Sequence, residues 1–202
     1  TCHAKYPDQF IPFISLPADV TAAAAELERC AQAGAAGVGE WAPGTYGEHV
    51  WAMETVRPLA EVIRQKGLPV LIHLNEPLGH SYPGKGTVVL SEIVTLVEAL
   101  QGMKVILAHW GGGLFFYELM PEIAAVCQGM CYDTAASPFL YNKKIYKAAL
   151  DIIGPRRILF GSDYPLLPPQ RYVREMQEAG VGAQQSEAIL RGNAQRVLGH
   201  LP

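Results

Sequence analysis

The chain has 202 residues, 50% of them hydrophobic and 17% charged, with a net charge of -3. That is enough length and apolar content for one domain with a large core, and neither the charge balance nor any lysine or arginine cluster offers a basic surface to nucleic acid. No apolar run approaches the ~20 residues that cross a bilayer, and no basic region with an apolar core opens the chain, so a cytoplasmic protein without membrane contact is expected.

Residues 1–8 show no periodicity and no initiating methionine. Residues 10–16 predict a strand, with Pro12 at its start or at a bulge. An alanine-rich helix follows over 19–32, with apolar positions at Val20, Ala23, Leu27 and Cys30, and Gly34 stops it. Residues 36–40 form a strand ending in Glu40. A loop with Pro43, Gly44 and Gly47 leads to a helix over 48–65, kinked or divided at Pro58, and Gly67 closes it. The strand 69–73 ends in His73, and a long polar loop covers 75–86. An amphipathic helix over 88–100 carries Ile93, Val94, Val97 and Leu100 on one side. The strand 104–109 ends in His109, the run Gly111-Gly112-Gly113 follows, and a helix is expected over 114–127. A weaker strand at 130–134, a helix over 143–153, a strand at 158–160 ending near Asp163, and helices over 170–179 and 184–198 complete the chain. The alternation amounts to six strand-helix units, without repeats or low-complexity tracts.

Four of these strands deliver a metal-binding side chain at the same end: Glu40, His73, His109 and Asp163. A hydrolytic metal needs neutral imidazoles and carboxylates that converge with one position left open for water. Parallel strands achieve this without the ligands being close in sequence, because each delivers its last side chain to one mouth. A lone histidine at a strand end is more often a hydrogen-bonded core residue. Four such residues at equivalent points read instead as one site for a divalent metal, zinc first and manganese second, a choice that depends on geometry.

His80 and Lys85 lie in the 75–86 loop, where a cation, a histidine and a tyrosine would cover the mouth and hold an anionic group of a small-molecule substrate. A solvated surface loop is the equally weighted alternative. Gly79 and Gly84-Lys85 imitate a phosphate-binding loop, but Gly86 stands where a hydroxyl should hold magnesium. Asp133 ends its strand and faces either the substrate or a turn. Trp110, directly after His109, walls the pocket or packs under a loop. The four cysteines are expected to be reduced thiols, with Cys127 and Cys131 lacking the second pair that a structural zinc would need.

The stretches Val70-Leu71-Ile72-His73, Val105-Ile106-Leu107-Ala108-His109-Trp110-Gly111-Gly112, Ile158-Leu159-Phe160-Gly161-Ser162-Asp163-Tyr164-Pro165 and residues 189–198 together resemble the amidohydrolase superfamily. The similarity is greatest to the branch that includes aminocarboxymuconate-semialdehyde decarboxylase. The resemblance implies a (β/α)8 TIM barrel in one domain spanning 1–202, with His73, His109 and Asp163 matching ligands of the fifth, sixth and eighth barrel strands. Glu40 falls at the fourth-strand position, where many members carry a lysine. The His-x-His pair of the family's first strand is absent, so the sequence is expected to lack the first two β/α units.

The resulting functional expectation is a metal-dependent hydrolase in which Asp163 moves the proton of an activated water and His109 ligates or orients the reacting oxygen. The alternatives are a metal-dependent decarboxylase of a small aromatic or unsaturated acid, and a non-catalytic binding protein derived from the barrel. A homodimer is compatible with any of them.

Overall fold

The computed structural model describes residues 2–17, 19–42, 53–86 and 89–199. A four-residue helix, α1 (Cys2–Lys5), opens the chain. Six parallel strands then form one sheet in sequential order: β1 (Phe13–Ile14), β2 (Gly37–Trp41), β3 (Val70–Ile72), β4 (Val105–Leu107), β5 (Cys131–Asp133) and β6 (Ile158–Leu159). Each crossover is helical: α2 (Val20–Gln32), α3 (Met53–Gln65), α4 (Leu90–Ala99) and α8 (Lys144–Ile153) among others. A sequential all-parallel order with a helix after each strand is the wall of a (β/α)8 barrel, whose closed form has eight strands.

The strands are short apolar runs because both sheet faces are covered. Val38, Val70, Val105, Tyr132 and Ile158 join Leu27, Ile63, Leu96 and Leu150 of the helices in the main core. On the opposite face Ile106, Cys131 and Leu159 form a second cluster with Leu71 and with Val197 of the last helix, α11 (Asn193–Leu198). Side chains alternate along a strand, so Leu71 shares its face with His73, and Cys131 shares its face with Asp133. Sequence periodicity therefore aims both functional-type residues into the sheet's concave side.

Several boundaries differ from the sequence expectation. Only Phe13–Ile14 of the expected first strand pairs, since Pro12 removes a donor just before it. The expected helix over 114–127 divides into a 3-10 turn, Leu114–Leu119, and α6 (Pro121–Val126), because Pro121 fits only a helix's first turn. Pro58 lies inside α3 without ending it. A short helix, α7 (Ser137–Leu140), follows β5 where no element was expected. The last expected helix is α10 (Ala183–Glu187), a π-helical turn over Ala188–Gly192, and α11. The loop at Pro43, Gly44 and Gly47, and the starts of the helices expected from 48 and 88, fall outside the described residues.

One buried ion pair ties the 3-10 turn to the sheet. Both Arg157 terminal nitrogens donate to Glu118, at 2.6 and 2.7 Å, while its Nε donates to the Met130 carbonyl. The Tyr132 hydroxyl donates to the same carboxylate at 2.5 Å, and the Glu118 side chain is only 3% exposed. Removing one partner of such a pair strands the other charge at a cost of about 3–5 kcal/mol. Glu118→Ala is therefore expected to lower unfolding free energy by at least ~3 kcal/mol in urea titration; a loss under ~1 kcal/mol would show that the pair does not hold the turn.

Candidate functional site

Glu40 reaches the mouth because β2 carries an extra residue. Val38 pairs with Val70 and Trp41 with Ile72, so three steps on β2 match two on β3. Such a bulge re-aims a side chain. Gly39 is required there: its φ is 139°, and a Cβ would sit 2.5 Å from the Leu71 carbonyl oxygen. His73 follows β3 directly, anchored by its N–H to the Trp41 carbonyl at 2.8 Å.

His109 is placed differently from a strand residue. β4 ends at Leu107, and residues His109 to Gly113 all have positive φ, from 52° to 87°, forming a left-handed turn. Its N–H donates to Asp133 Oδ1 at 2.9 Å, an oxygen that also accepts the Ala135 N–H at 2.9 Å. His109 Nδ1 lies 3.1 Å from the Ala135 carbonyl, so Nδ1 carries a proton and Nε2 turns toward the mouth.

These placements converge three of the four expected ligands. Glu40 Oε1 lies 2.7 Å from His73 Nδ1 and 3.3 Å from His109 Nε2, and the two imidazoles meet edge to face at 4.9 Å. All three donor atoms fall within 4.8 Å of one another, the one such group among the described residues. With Nδ1 of His109 protonated, its Nε2 contact to a carboxylate is attractive only if Nε2 carries a second proton or the donors share a cation. Two imidazoles and a carboxylate suit zinc or manganese, so the donor set fits a divalent ion. Asp163, the fourth expected ligand, stands outside this group but lines the same cavity.

That cavity has a volume of about 400 Å³. Its polar lining includes His73, His109 and Asp163; its apolar lining includes Ala136, Phe139, Leu140 and Leu166, with the Tyr82 ring. Phe139 and Leu140 come from α7, whose signal in the sequence was Pro138, a residue suited to a helix's first turn, five positions after the end of β5. Tyr82 comes from the long loop and donates its hydroxyl to Asn75 Oδ1 at 2.9 Å. Burial, with the charges of Glu76 and Asp163, pushes its pKa up to about 12, so it remains a neutral donor.

The remaining expected substrate contacts lie elsewhere. Trp110 is fully buried, packs on Phe115 and Tyr146, and donates Nε1 to Ser137 Oγ at 2.7 Å, because the left-handed turn points it beneath the cavity. The Asp133 carboxylate is buried and bonded to main chain. Lys85 Nζ donates to the Leu78 and His80 carbonyls of its own loop, at 2.7 and 3.1 Å. His80 is exposed and meets the Phe139 ring edge-on at 4.8 Å.

A family model described as amidohydrolase matches residues 1–200. The chain belongs to the amidohydrolase family. It is 26% identical over 201 residues to a 6-methylsalicylic acid decarboxylase of Penicillium expansum, the match covering 83% of this chain and 61% of that one. The chain thus spans less than two thirds of that relative's length. Among solved structures, a 2,6-dihydroxybenzoate decarboxylase from Rhizobium superposes with TM-score 0.71 at 20% identity, over 97% of this chain and 73% of that one. A dihydroxybenzoic acid decarboxylase from a Polaromonas species, holding manganese and the inhibitor 2-nitroresorcinol, superposes with TM-score 0.69 at 21% identity, over 97% and 71%. Both likenesses establish the amidohydrolase barrel fold. No helix among the described residues is long and apolar enough to cross a membrane.

In the metal-free protein the cluster is an ion pair. Burial raises the Glu40 pKa, but hydrogen bonds from His109 and His73 and their charges outweigh it and hold the carboxyl at about 2, below its ordinary 4.5. Burial lowers the His109 pKa, but the Glu40 hydrogen bond, the Asp133 and Glu40 charges and the Ala135 carbonyl raise it from 6.5 to about 9. A raised histidine stabilises fully below its unfolded pKa and loses that contribution as pH rises through about 9; a lowered carboxylate loses its contribution as pH falls below 4.5 toward about 2. Chelator-treated protein should therefore be most stable between 4.5 and 6.5, with an alkaline loss centred between 6.5 and about 9. Thermal unfolding across pH checks this, and an unchanged alkaline limb in His109→Gln would refute the assignment.

Proposed function

We propose that this amidohydrolase-family chain serves a metal-dependent, non-oxidative decarboxylation of a small aromatic carboxylic acid. The observation that carries the reading is the cavity's lining, in which the aromatic and apolar side chains Tyr82, Phe139, Leu140 and Leu166 join the donors His73 and His109. A cavity of ~150 Å³ holds benzene, so about 400 Å³ accommodates one substituted ring with its carboxylate. Decarboxylase activity in the Penicillium relative supports the same choice over hydrolysis.

Glu40, His73 and His109 would hold the ion, zinc or manganese. When bound, that ion supplies positive charge to the substrate's carboxylate and adjacent oxygen and so orients them. The chain's own residues do the rest. Phe139, Tyr82 and Leu166 hold the ring and exclude water from it, and the Tyr82 hydroxyl sits within the wall as a neutral donor. Asp163 is the one carboxylic side chain on the cavity wall besides the cluster. In the reaction the bond between ring carbon and carboxylate breaks, carbon dioxide leaves, and the ring carbon gains a proton. Asp163, protonated from solvent, gives that proton to the ring carbon as general acid and is left as the carboxylate.

The test is carbon dioxide release from a panel of hydroxylated benzoates by the native protein supplied with manganese or zinc. At least one panel member should be turned over. Asp163→Asn should lower kcat about 10²–10⁴-fold while metal content stays unchanged. His73→Ala and His109→Ala should each lose bound metal by elemental analysis. Hydrolysis of lactones or amides without carbon dioxide release would overturn the decarboxylase reading, and full activity in Asp163→Asn would overturn the role of Asp163.

A further inference from the structure

Asp163 occupies a conformation that an L-residue avoids, with φ of 53°. Within the turn, the Asp163 carbonyl accepts the Leu166 N–H at 2.9 Å, and Ser162 Oγ accepts the Tyr164 N–H at 3.3 Å. Two further side chains hold it from outside the turn. Tyr172 of helix α9 (Pro169–Glu178) is fully buried, with its ring edge-on to Phe160 at 5.6 Å. Its hydroxyl donates to the Ser162 carbonyl at 2.6 Å and accepts the Ala136 N–H at 3.1 Å. One oxygen thus joins the exit loops of β5 and β6. Each joined residue is, or directly precedes, a cavity residue of positive φ: Ala136 at 55° and Asp163 at 53°.

Thr134 makes the second tie between the same two loops. Its Oγ1 donates to the Gly161 carbonyl at 2.9 Å and accepts the Gly161 N–H at 3.1 Å. The two hydroxyls flank Ser162, one clasping Gly161 and the other the Ser162 carbonyl, so the peptide that leads into Asp163 is fixed on both sides.

We propose that Tyr172 and Thr134 are positioning residues that hold the Asp163 turn against the cavity. Neither touches the space where substrate would sit, and both act through the main chain. The catalytic part of this inference rests on the reading of Asp163 as proton carrier; the part concerning the turn does not. A misplacement of about 1 Å at a reacting group can cost on the order of a hundredfold in rate, so the loss of either clasp should appear in turnover before it appears in binding.

The test uses Tyr172→Phe, which keeps the ring and removes both hydrogen bonds, with Thr134→Val and the rescuing Thr134→Ser. Amide hydrogen exchange by NMR on the metal-loaded native chain should show Ala136 exchanging about tenfold faster in Tyr172→Phe. Gly161 should do the same in Thr134→Val and recover in Thr134→Ser, while Tyr132 stays protected in all three. On whichever benzoate the native protein decarboxylates, kcat should fall about ten- to hundredfold with KM within about threefold, again restored in Thr134→Ser. Unchanged exchange at Ala136 and Gly161 would overturn the clasp itself. Faster exchange with an unchanged kcat would overturn its positioning role. If the native protein decarboxylates nothing, the reaction reading fails on its own, and the exchange data still decide whether these hydroxyls hold the turn. Should Tyr172→Phe not fold, the two Thr134 variants decide alone.

Discussion

The mouth of this sheet depends on one buried carboxylate holding a left-handed turn. Left-handed conformation costs an L-residue about 1–2 kcal/mol, and His109 and Trp110 both adopt it. Gly111, Gly112 and Gly113 continue the turn without that cost, and Gly112 could not be replaced: a Cβ there would lie 2.4 Å from the Asn75 carbonyl oxygen. Asp133 offsets the strain by accepting the His109 N–H, and the Trp110 indole adds its bond to Ser137. Burial raises the Asp133 pKa, opposed by the His109 charge and by the two main-chain donors. Its two main-chain donors therefore hold the turn and keep His109 directed toward the cavity.

The cluster is assembled from three different local devices. A bulge brings Glu40 inward, a regular strand exit delivers His73, and the left-handed turn delivers His109. Their environments grade from half-exposed to buried: the side chains of Glu40, His73 and His109 are 38%, 23% and 7% exposed. The most buried of the three, His109, is also the one bonded at both its N–H and its Nδ1. This is the support that orients a metal ligand from behind, and here it is supplied by the residues after β5.

Much of this was legible in the sequence, and the exceptions share a cause. Strand exits could be located because apolar runs stop there, which is why Glu40, His73, His109 and Asp163 could be grouped before any coordinates. Period-two alternation cannot show that a chain reverses hand, so His109 was expected at the end of a strand, and Trp110 was left open between the pocket wall and packing under a loop, the second of which is found. The glycine run after them was the available signal, since three consecutive glycines supply consecutive positive φ at no steric cost. Lys85 was read by its charge, whereas its place between two glycines of positive φ, Gly79 and Gly84, allowed the loop to fold back so that its own carbonyls reach the ammonium. The apolar wall was missed for a different reason: α7 has four residues, too few for a helical period.

The fold leaves hydrolysis and decarboxylation equally accessible, because both need the same donors at the same strand ends. What separates them is the rest of the cavity's lining. Hydrolysis requires a water held for attack and a group that moves its proton to the leaving group; a decarboxylation requires the ring to be held, water kept from it, and one proton delivered to carbon. The wall built from Phe139, Leu140, Leu166 and Tyr82 supplies apolar surface and an uncharged hydroxyl, with Asp163 as its carboxylic group. His80 meets the Phe139 ring edge-on at 4.8 Å, and Lys85 Nζ lies 5.5 Å from the centre of the Tyr82 ring. The long loop after β3 thus gives the cavity an aromatic face through Tyr82, and the Lys85 charge, which first drew attention in the sequence, acts on the loop itself.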